Sequence, residues 1–491
     1  MPPLRILYAT PECAPLVKTG GLGDVAGALP AALRRLGVDV RVLLPGYPAV
    51  LAALAGAAVA ARIDAIARLP AARLLEFELP GGVLAWAVDC PALYDRDGGP
   101  YQDASGGDWD DNPLRFGQLS RVAALLGATQ SPVGWRAQVI HANDWETGLA
   151  PAYAAFAGGA ATPSLITIHN LSFQGIFAPH WVTEVGLPAA SFAVDGVEYH
   201  GRFSFLKAGL NYASAITTVS PTYAAEIQRE AMGMGLHGLL AARRDALYGI
   251  LNGIDTTLWN PATDASIPER YDATTLTRKA GNKRALQTRF ALEPLPEVLL
   301  LGTVGRLTEQ KGLDLLAEVI DTVLALPAQI VVIGTGDRAL EHRLRALAAA
   351  HPRSVGCHIG FDETLAHLVE AGADAFVMPS RFEPCGMNQM YSQRYGTPPI
   401  VHATGGLLDS VVDCTPHTLA DSTATGFMFL APTADALLGA IERCAAVFRD
   451  ATIWRALQRN AMARDFGWGA AAREYADVYT RLVRTQVGSD I

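Results

Sequence analysis

The chain opens on a short apolar run, Arg5-Ile6-Leu7-Tyr8-Ala9, followed by a glycine-rich turn. Apolar residues then recur at Val25, Leu29, Leu33 and Leu36, the spacing of one helical face, and Gly37 ends the series. Pro30 interrupts this stripe, so a kink or a late helix start is expected there. Asp39 to Leu44 reads as a second strand that closes a β-α-β unit. Apolar runs over residues 74–79 and 83–88 flank Pro80-Gly81-Gly82, which predicts a hairpin. Further buried strands are expected over residues 138–141, 164–168 and 215–219.

Strand and helix alternate more regularly in the second half. Strands are expected over residues 298–304, 329–333, 355–359, 375–378 and 399–401, with helices starting near Gly312, Arg338, Glu363, Gly386 and Leu407. This alternation predicts open parallel sheets with helices on both faces. Residues 252–272, rich in Pro, Asp, Thr and Asn, form the expected linker. The fold class is α/β, with two doubly wound, Rossmann-like domains over 1–251 and 273–466 facing across a deep cleft.

Length agrees with that division, because 491 residues exceed what one hydrophobic core supports. Half the residues are hydrophobic and 18% are charged, which excludes a disordered chain. A net charge of −9 argues against holding nucleic acid or anionic membrane by bulk electrostatics. The longest charge-free apolar stretch near the N-terminus, residues 49–61, is broken by glycine and falls short of the ~20 residues of a membrane span. No basic segment followed by an apolar run precedes Leu4, and the six cysteines are scattered without a CxxC pair or a Cys/His cluster. The cysteine pattern suits a reduced cytoplasm and offers no zinc site. Only five of the 39 basic residues are lysine: Lys18, Lys207, Lys279, Lys283 and Lys311. A chain so biased to arginine is expected to keep lysine where a planar guanidinium cannot replace a compact ammonium.

Four loops carry candidate chemistry. Lys18-Thr19-Gly20-Gly21-Leu22-Gly23-Asp24-Val25 lies at the carboxyl end of the first strand and leads into a helix, where glycines admit a ligand to the backbone and a helix start favours an anion. No GxxxxGK[ST] occurs, so it is not a P-loop. Gly305-Arg306-Leu307-Thr308-Glu309-Gln310-Lys311-Gly312 follows the first strand of the second half and places two cations where a diphosphate leaving group could be held. Pro379-Ser380-Arg381-Phe382-Glu383-Pro384-Cys385-Gly386 is again strand, loop and helix, and Glu383 could cap backbone amides or accept from sugar hydroxyls. Thr404-Gly405-Gly406-Leu407 offers one more glycine turn for phosphate oxygens.

Three motifs are read as distractors. Gly334-Thr335-Gly336-Asp337-Arg338-Ala339 fits a dinucleotide fingerprint, but it follows the second strand of its domain and lacks the acidic residue about 20 positions on. Asp108-Trp109-Asp110 has no strand before it and reads as an exposed acidic loop rather than a metal site. Cys385 has no histidine near it in sequence and reads as packing, not a nucleophile. His141, Asp144 and Trp145 in one loop and His169-Asn170 in the next end adjacent strands, which points to a shared site.

Together these motifs, with HANDWETGL, ITIHNLSFQG, FSFLKAGLNYA, VSPTYAAEI, GILNGID and TGGLLDSV, resemble the bacterial glycogen synthase and plant starch synthase family of retaining glycosyltransferases. The resemblance spans nearly the whole chain. It implies the GT-B fold, a final segment over 467–491 that crosses back to the first domain, and transfer of glucose from ADP-glucose to the non-reducing 4-hydroxyl of an α-1,4-glucan. It also implies retention of configuration, with neither metal nor cofactor. By the same resemblance, Lys18 contacts the donor diphosphate with Gly20, Gly21 and Asp24 in the same turn, and Arg306 and Lys311 stabilise departing ADP. Glu383 resembles the glutamate that holds the glucosyl hydroxyls, His169 the histidine near the 6-hydroxyl, and Asp144 an aspartate lining the same pocket. Asn252 belongs to the interdomain segment, and Phe361 stands where relatives commonly stack a tyrosine on adenine. Cys385, Gly386 and Asn388 at the helix start, and Thr404, Gly405 and Gly406, complete the expected donor surface.

Two departures matter. The broader retaining-transferase pattern has a second glutamate eight positions after the first, whereas Tyr391 stands there in this chain. Cys385-Gly386-Met387-Asn388 differs from the commoner Cys-Gly-Leu-Thr, so the phosphate contacts at Asn388 are left open. Retaining hydrolases need two carboxylates about the anomeric carbon; Glu383 is the single strong candidate in the second domain, and the resemblance assigns it to hydroxyl binding, so same-face attack with the leaving phosphate taking the acceptor proton is favoured. A non-catalytic glucan-binding protein and an NAD-dependent oxidoreductase are the rival readings.

The scarcity of lysine yields a test. A lysine on a solvated turn tolerates arginine, whereas one reaching a phosphate past Gly20 and Gly21 does not. Lys18→Arg is expected to fold and to keep glycogen binding, while losing at least about tenfold in kcat/KM for ADP-glucose, a deficit of ~1.4 kcal/mol. Wild-type kinetics would remove Lys18 from the diphosphate.

Overall fold

Four consecutive buried residues, Ile6, Leu7, Tyr8 and Ala9, place strand Arg5–Ala9 inside a parallel sheet rather than at an edge. In the computed structural model, which describes residues 3–54, 56–158 and 161–489, this strand pairs in parallel with Asp39–Pro45 on one side and Val139–Asn143 on the other. The outermost residues of the first and last expected segments, and residue 55 of the apolar stretch, lie outside the described residues. Two compact units result: Met1–Gly253 with Trp468–Ile491, and Ile254–Gly467.

The sheet of the first unit runs Leu247–Gly249, Ala215–Thr218, Ser164–Ile168, Val139–Asn143, Arg5–Ala9, Asp39–Pro45, Val83–Asp89, Ala72–Leu79 and Ala58–Ile63. The hairpin is present, and Ala72–Leu79 is antiparallel to both of its neighbours. Edge strand Ala58–Ile63 is alanine-rich and half exposed, so it carries no alternating signal to be read beforehand. Pro30 neither delays nor ends its helix, Gly21–Arg35. Proline leaves the carbonyl of Ala26 without its helical donor, and the Cys13 thiol reaches that oxygen at 3.5 Å.

In the second unit all strand pairs are parallel, in the order Val355–Ile359, Ala328–Gly334, Leu299–Val304, Ala375–Met378, Pro399–His402 and Phe427–Phe429. Numbered along the chain, that order is 3-2-1-4-5-6. The stretch expected as a linker behaves differently from a solvated tether. From Ile254 onward it belongs to the second unit, where Trp259, Asp264 and Tyr271 are buried. Asp264 accepts from His367 Nδ1 at 2.8 Å and from the Tyr395 hydroxyl at 2.6 Å, and the Trp259 ring stacks on those of His367 and Tyr391. Helix Gly469–Ser489 lies in the first unit, where Tyr479 donates to or accepts from His141 Nδ1 at 2.7 Å. Among the described residues no helix is long and apolar enough to cross a membrane.

Three of the five lysines hold loops through backbone carbonyls. Lys207 Nζ donates to Val194 O at 2.7 Å and to Glu198 O. Lys279 Nζ donates to Glu370 O, Ala371 O and Thr397 Oγ1, closing the end of helix Glu363–Gly372. Lys283 Nζ bonds Pro296 O and Val298 O and pairs with Asp374 at 2.6 Å. Each ammonium points its donors in divergent directions, which a planar fork cannot do.

Candidate functional site

Ligands of open parallel sheets bind outside the carboxyl ends of the strands where the order reverses. In the second unit that place lies between Leu299–Val304 and Ala375–Met378, and the loops leaving those ends are residues 305–312 and 379–387. Lys311 Nζ lies 2.6 Å from Glu383 Oε2, and the Ser380 hydroxyl donates to the same oxygen at 2.9 Å. The glutamate side chain is 6% exposed and the lysine 22%, so the carboxylate is stripped of most of its water and depends on these partners. Lys311 keeps further donors for a ligand, since an ammonium has three.

The two loops are clamped together by side chains to which sequence reading gave no role. Arg381 forms a bidentate pair with Asp314, at 2.8 and 2.7 Å, and also donates to Glu309 O. Its backbone N–H bonds Gln310 O at 2.8 Å. Gly312 is left-handed, with φ +65°, and a Cβ there would stand 2.0 Å from Pro379 O. Only glycine lets the loops meet so closely. Arg306 is exposed, and its side chain has neither an ion pair nor a hydrogen bond among the described residues. That leaves an exposed cation in the loop that carries Lys311.

The remaining expected residues of this unit divide. Phe361 is 79% exposed, its ring open to solvent. Cys385 is buried, which fits packing. Gly386 is left-handed with φ +69° and starts the turn into helix Asn388–Arg394. Asn388 Nδ2 donates to Val304 O at 2.7 Å, so its amide ties the helix to the strand end. The Thr404–Gly406 turn packs on the Glu383 loop: Gly406 N–H bonds Glu383 O at 3.1 Å, and a Cβ on Gly405 or Gly406 would lie 2.0 or 2.2 Å from the carbonyl oxygen of Glu383 or Cys385. These glycines permit close approach of two backbones. At the dinucleotide-like turn, Glu341 accepts from Thr335 Oγ1 and Gly336 N while Asp337 caps Leu340 N. The chain's own carboxylates occupy that anion position.

In the first unit the order reverses between Arg5–Ala9 and Val139–Asn143. Loops 10–20 and 144–148 leave those ends, and the latter carries Asp144, a non-glycine residue with φ 54°. Asp144 Oδ1 accepts the His169 N–H at 2.7 Å, and His169 Nε2 lies 3.0 Å from Asn143 Oδ1, so the two histidine-loop motifs do come together. Burial pushes the Asp144 carboxyl up from the usual range and the His169 ring down to about 3. His169 is therefore a neutral hydrogen-bonding group near neutral pH. His141 is not at the site: it is buried between Tyr479 and Thr167, and burial holds its pKa well below the usual range.

Lys18 pairs with Asp24 at 2.8 Å on the exposed side of the turn. The Thr19 and Gly20 amides, expected to face an anion, bond instead to the carboxylate of Glu12, a residue sequence reading passed over. Gly23 and Gly27 form the helix face on which residues 12–14 pack, with Cβ positions 3.2 Å from Glu12 Oε2 and 2.7 Å from Ala14 O. Asn252 is buried, and its Oδ1 has no hydrogen-bond partner among the described residues.

Comparison with known proteins agrees with this geometry. Residues 5–242 match the family described as starch synthase catalytic domain, and residues 287–446 match glycosyl transferases group 1. A glycogen synthase of Aromatoleum aromaticum is 56% identical, covering 98% of this chain and 97% of its own length. One from Dechloromonas aromatica is 54% identical over 99% of this chain and 100% of its own. The solved catalytic domain of starch synthase IV from Arabidopsis thaliana, bound to ADP and acarbose, superposes with a TM-score of 0.85 at 30% identity, covering 98% of this chain and 100% of that one.

The glycine contacts carry a stability prediction. Gly405→Ala places a methyl group against Glu383 O at φ +44°, and such overpacking is expected to cost about 1–3 kcal/mol. Gly439→Ala, in helix Ala434–Phe448 with nothing within 4 Å, is expected to be neutral or stabilising. Thermal unfolding checks both. Equal midpoints for the two variants would contradict the packing described.

Proposed function

The chain belongs to the glycogen synthase and starch synthase family of glycosyltransferases, and from that premise we propose that it elongates α-1,4-glucan with glucose taken from ADP-glucose. The observation that carries the reading is the Lys311–Glu383 pair at the strand-order reversal, with exposed Arg306 in the same loop as Lys311. A nucleotide-sugar donor presents a diphosphate and a hydroxylated ring. Cations suit the first, and a fixed carboxylate suits the second.

In the proposed reaction the bond from the anomeric carbon to the β-phosphate oxygen breaks, and the bond to the acceptor 4-oxygen forms on the same face. The acceptor proton passes to the leaving phosphate oxygen. Arg306 and Lys311 stabilise charge on departing ADP, and Lys18 is the group of the first unit's turn that serves the diphosphate, the Thr19 and Gly20 amides being held by Glu12. Glu383 Oε2 anchors to Lys311 and Ser380, and Oε1 holds ring hydroxyls. Neutral His169 meets the 6-hydroxyl and Asp144 lines the same pocket. Phe361 offers its open face to adenine. The protein's part is positioning and electrostatics. We place this activity in the cytoplasm, in keeping with six cysteines that are all free.

A coupled ADP- and UDP-release assay on glycogen tests the donor. ADP-glucose is expected to give the higher kcat/KM. A preference for UDP-glucose would overturn the donor assignment, and glycogen binding without nucleotide release from either donor would overturn catalysis itself.

A further inference from the structure

Glu12 follows the first strand, is 2% exposed, and spends both carboxylate oxygens on the turn that carries Lys18. Oε2 accepts the Thr19 N–H at 2.5 Å and the Gly20 N–H at 3.3 Å. Oε1 accepts the Thr19 hydroxyl at 2.5 Å and the hydroxyl of Tyr101, which reaches in from the Asp/Gly-rich loop after helix Pro91–Tyr94. One carboxylate thus joins its own loop to the turn seven residues on and to a loop 89 positions away. Gly23, with its Cβ position 3.2 Å from Oε2, leaves the space it fills.

We infer that Glu12 is a positioning residue for the transfer reaction: it holds the Lys18–Gly21 turn in its donor-binding shape and ties the Tyr101 loop to it. The inference rests on the donor role proposed for that turn. Lys18, Thr19 and Gly20 are all exposed, and no backbone hydrogen bond of residues 18–20 crosses to the sheet. Without Glu12 the two amides turn to water and the turn loses its fixed shape. The shape matters because a cation helps a transition state only when it is already in place.

What Glu12 contributes is reach, not charge. Asp144 and Glu146 are close enough for their like charges to be felt with that of Glu12, and Glu146 Oε2 is itself buried without a partner. A neutral group of the same length relieves repulsion there. Glutamine supplies it: its oxygen accepts the Thr19 and Gly20 amides, and its NH2 donates to the Thr19 and Tyr101 hydroxyls, which can reverse their roles. Aspartate keeps the charge but withdraws the oxygens by about 1.5 Å.

The test ranks Glu12→Gln, Glu12→Asp and Thr19→Ala in the full-length protein by kcat and by KM for ADP-glucose and glycogen, with thermal unfolding alongside. Glu12→Gln is expected to stay within about fivefold of wild type, and Glu12→Asp to lose about thirtyfold or more in kcat with less than about threefold change in KM for glycogen. Thr19→Ala, at an exposed residue that threatens no core, is expected to lose about three- to tenfold in kcat, and Thr19→Ser to restore it. The reverse order, with aspartate active and glutamine dead, would mean that charge is the asset and would overturn the inference. So would Thr19→Ala kinetics equal to wild type, which decides the matter even if Glu12→Asp fails to fold. An inactive wild-type protein would instead overturn the proposed function.

Discussion

A carboxylate cannot be buried beside a sheet end unless an opposite charge or hydrogen bonds replace its water. Glu383 meets that constraint with Lys311 and Ser380, and much of the second unit is arranged so that it can. The lysine must arrive on a short turn, Glu309–Lys311, that ends in left-handed Gly312 pressed on Pro379. The loop that carries the glutamate must in turn be locked against that turn, which the Arg381–Asp314 pair accomplishes. Gly405 and Gly406 then let a third segment close over the glutamate's own backbone. Remove the ion pair, and these close approaches have nothing to organise.

The first unit buries a carboxylate too, with amides and hydroxyls in place of a cation. There a carboxylate, Glu12, stands where the turn's amides could have met an anion directly, and the exposed cation, Lys18, is paired with Asp24. Near it, burial drives Asp144 and Glu146 toward their protonated forms and His169 toward its neutral one. A site of this kind presents hydrogen-bonding groups of low net charge, suited to sugar hydroxyls. The cations of the second unit suit phosphate.

The chain's motifs made much of this legible because strand, loop and helix succeed one another within a few residues, and the loops at carboxyl strand ends carry the unusual residues. The lysine bias proved informative in a way broader than expected: Lys207, Lys279 and Lys283 are compact donors to carbonyls, and only Lys18 and Lys311 lie in the candidate site loops. What could not be read depends on contacts distant in sequence. Glu12 and Tyr101 are 89 positions apart, and nothing local marks either. His141 looked equivalent to His169, yet the inward pleat and the Tyr479 hydroxyl make it structural. Segment 254–272 has a linker's composition, but its aromatic Trp259 and Tyr271 were the sign that it packs. Strands Ala58–Ile63 and Leu247–Gly249 lie at sheet edges, where half-exposure blurs the alternation.

The central claim is that Lys311 and Glu383 act as one unit in the reaction. A double-mutant cycle on kcat/KM for ADP-glucose tests it, using Lys311→Met, Glu383→Gln and the pair together. Each single variant is expected to lose about a hundredfold or more, and the double variant to lose little beyond the worse single one, leaving a coupling of at least about 1.5 kcal/mol. Losses that multiply in the double variant, or activity within a few-fold of wild type in either single one, would contradict the account.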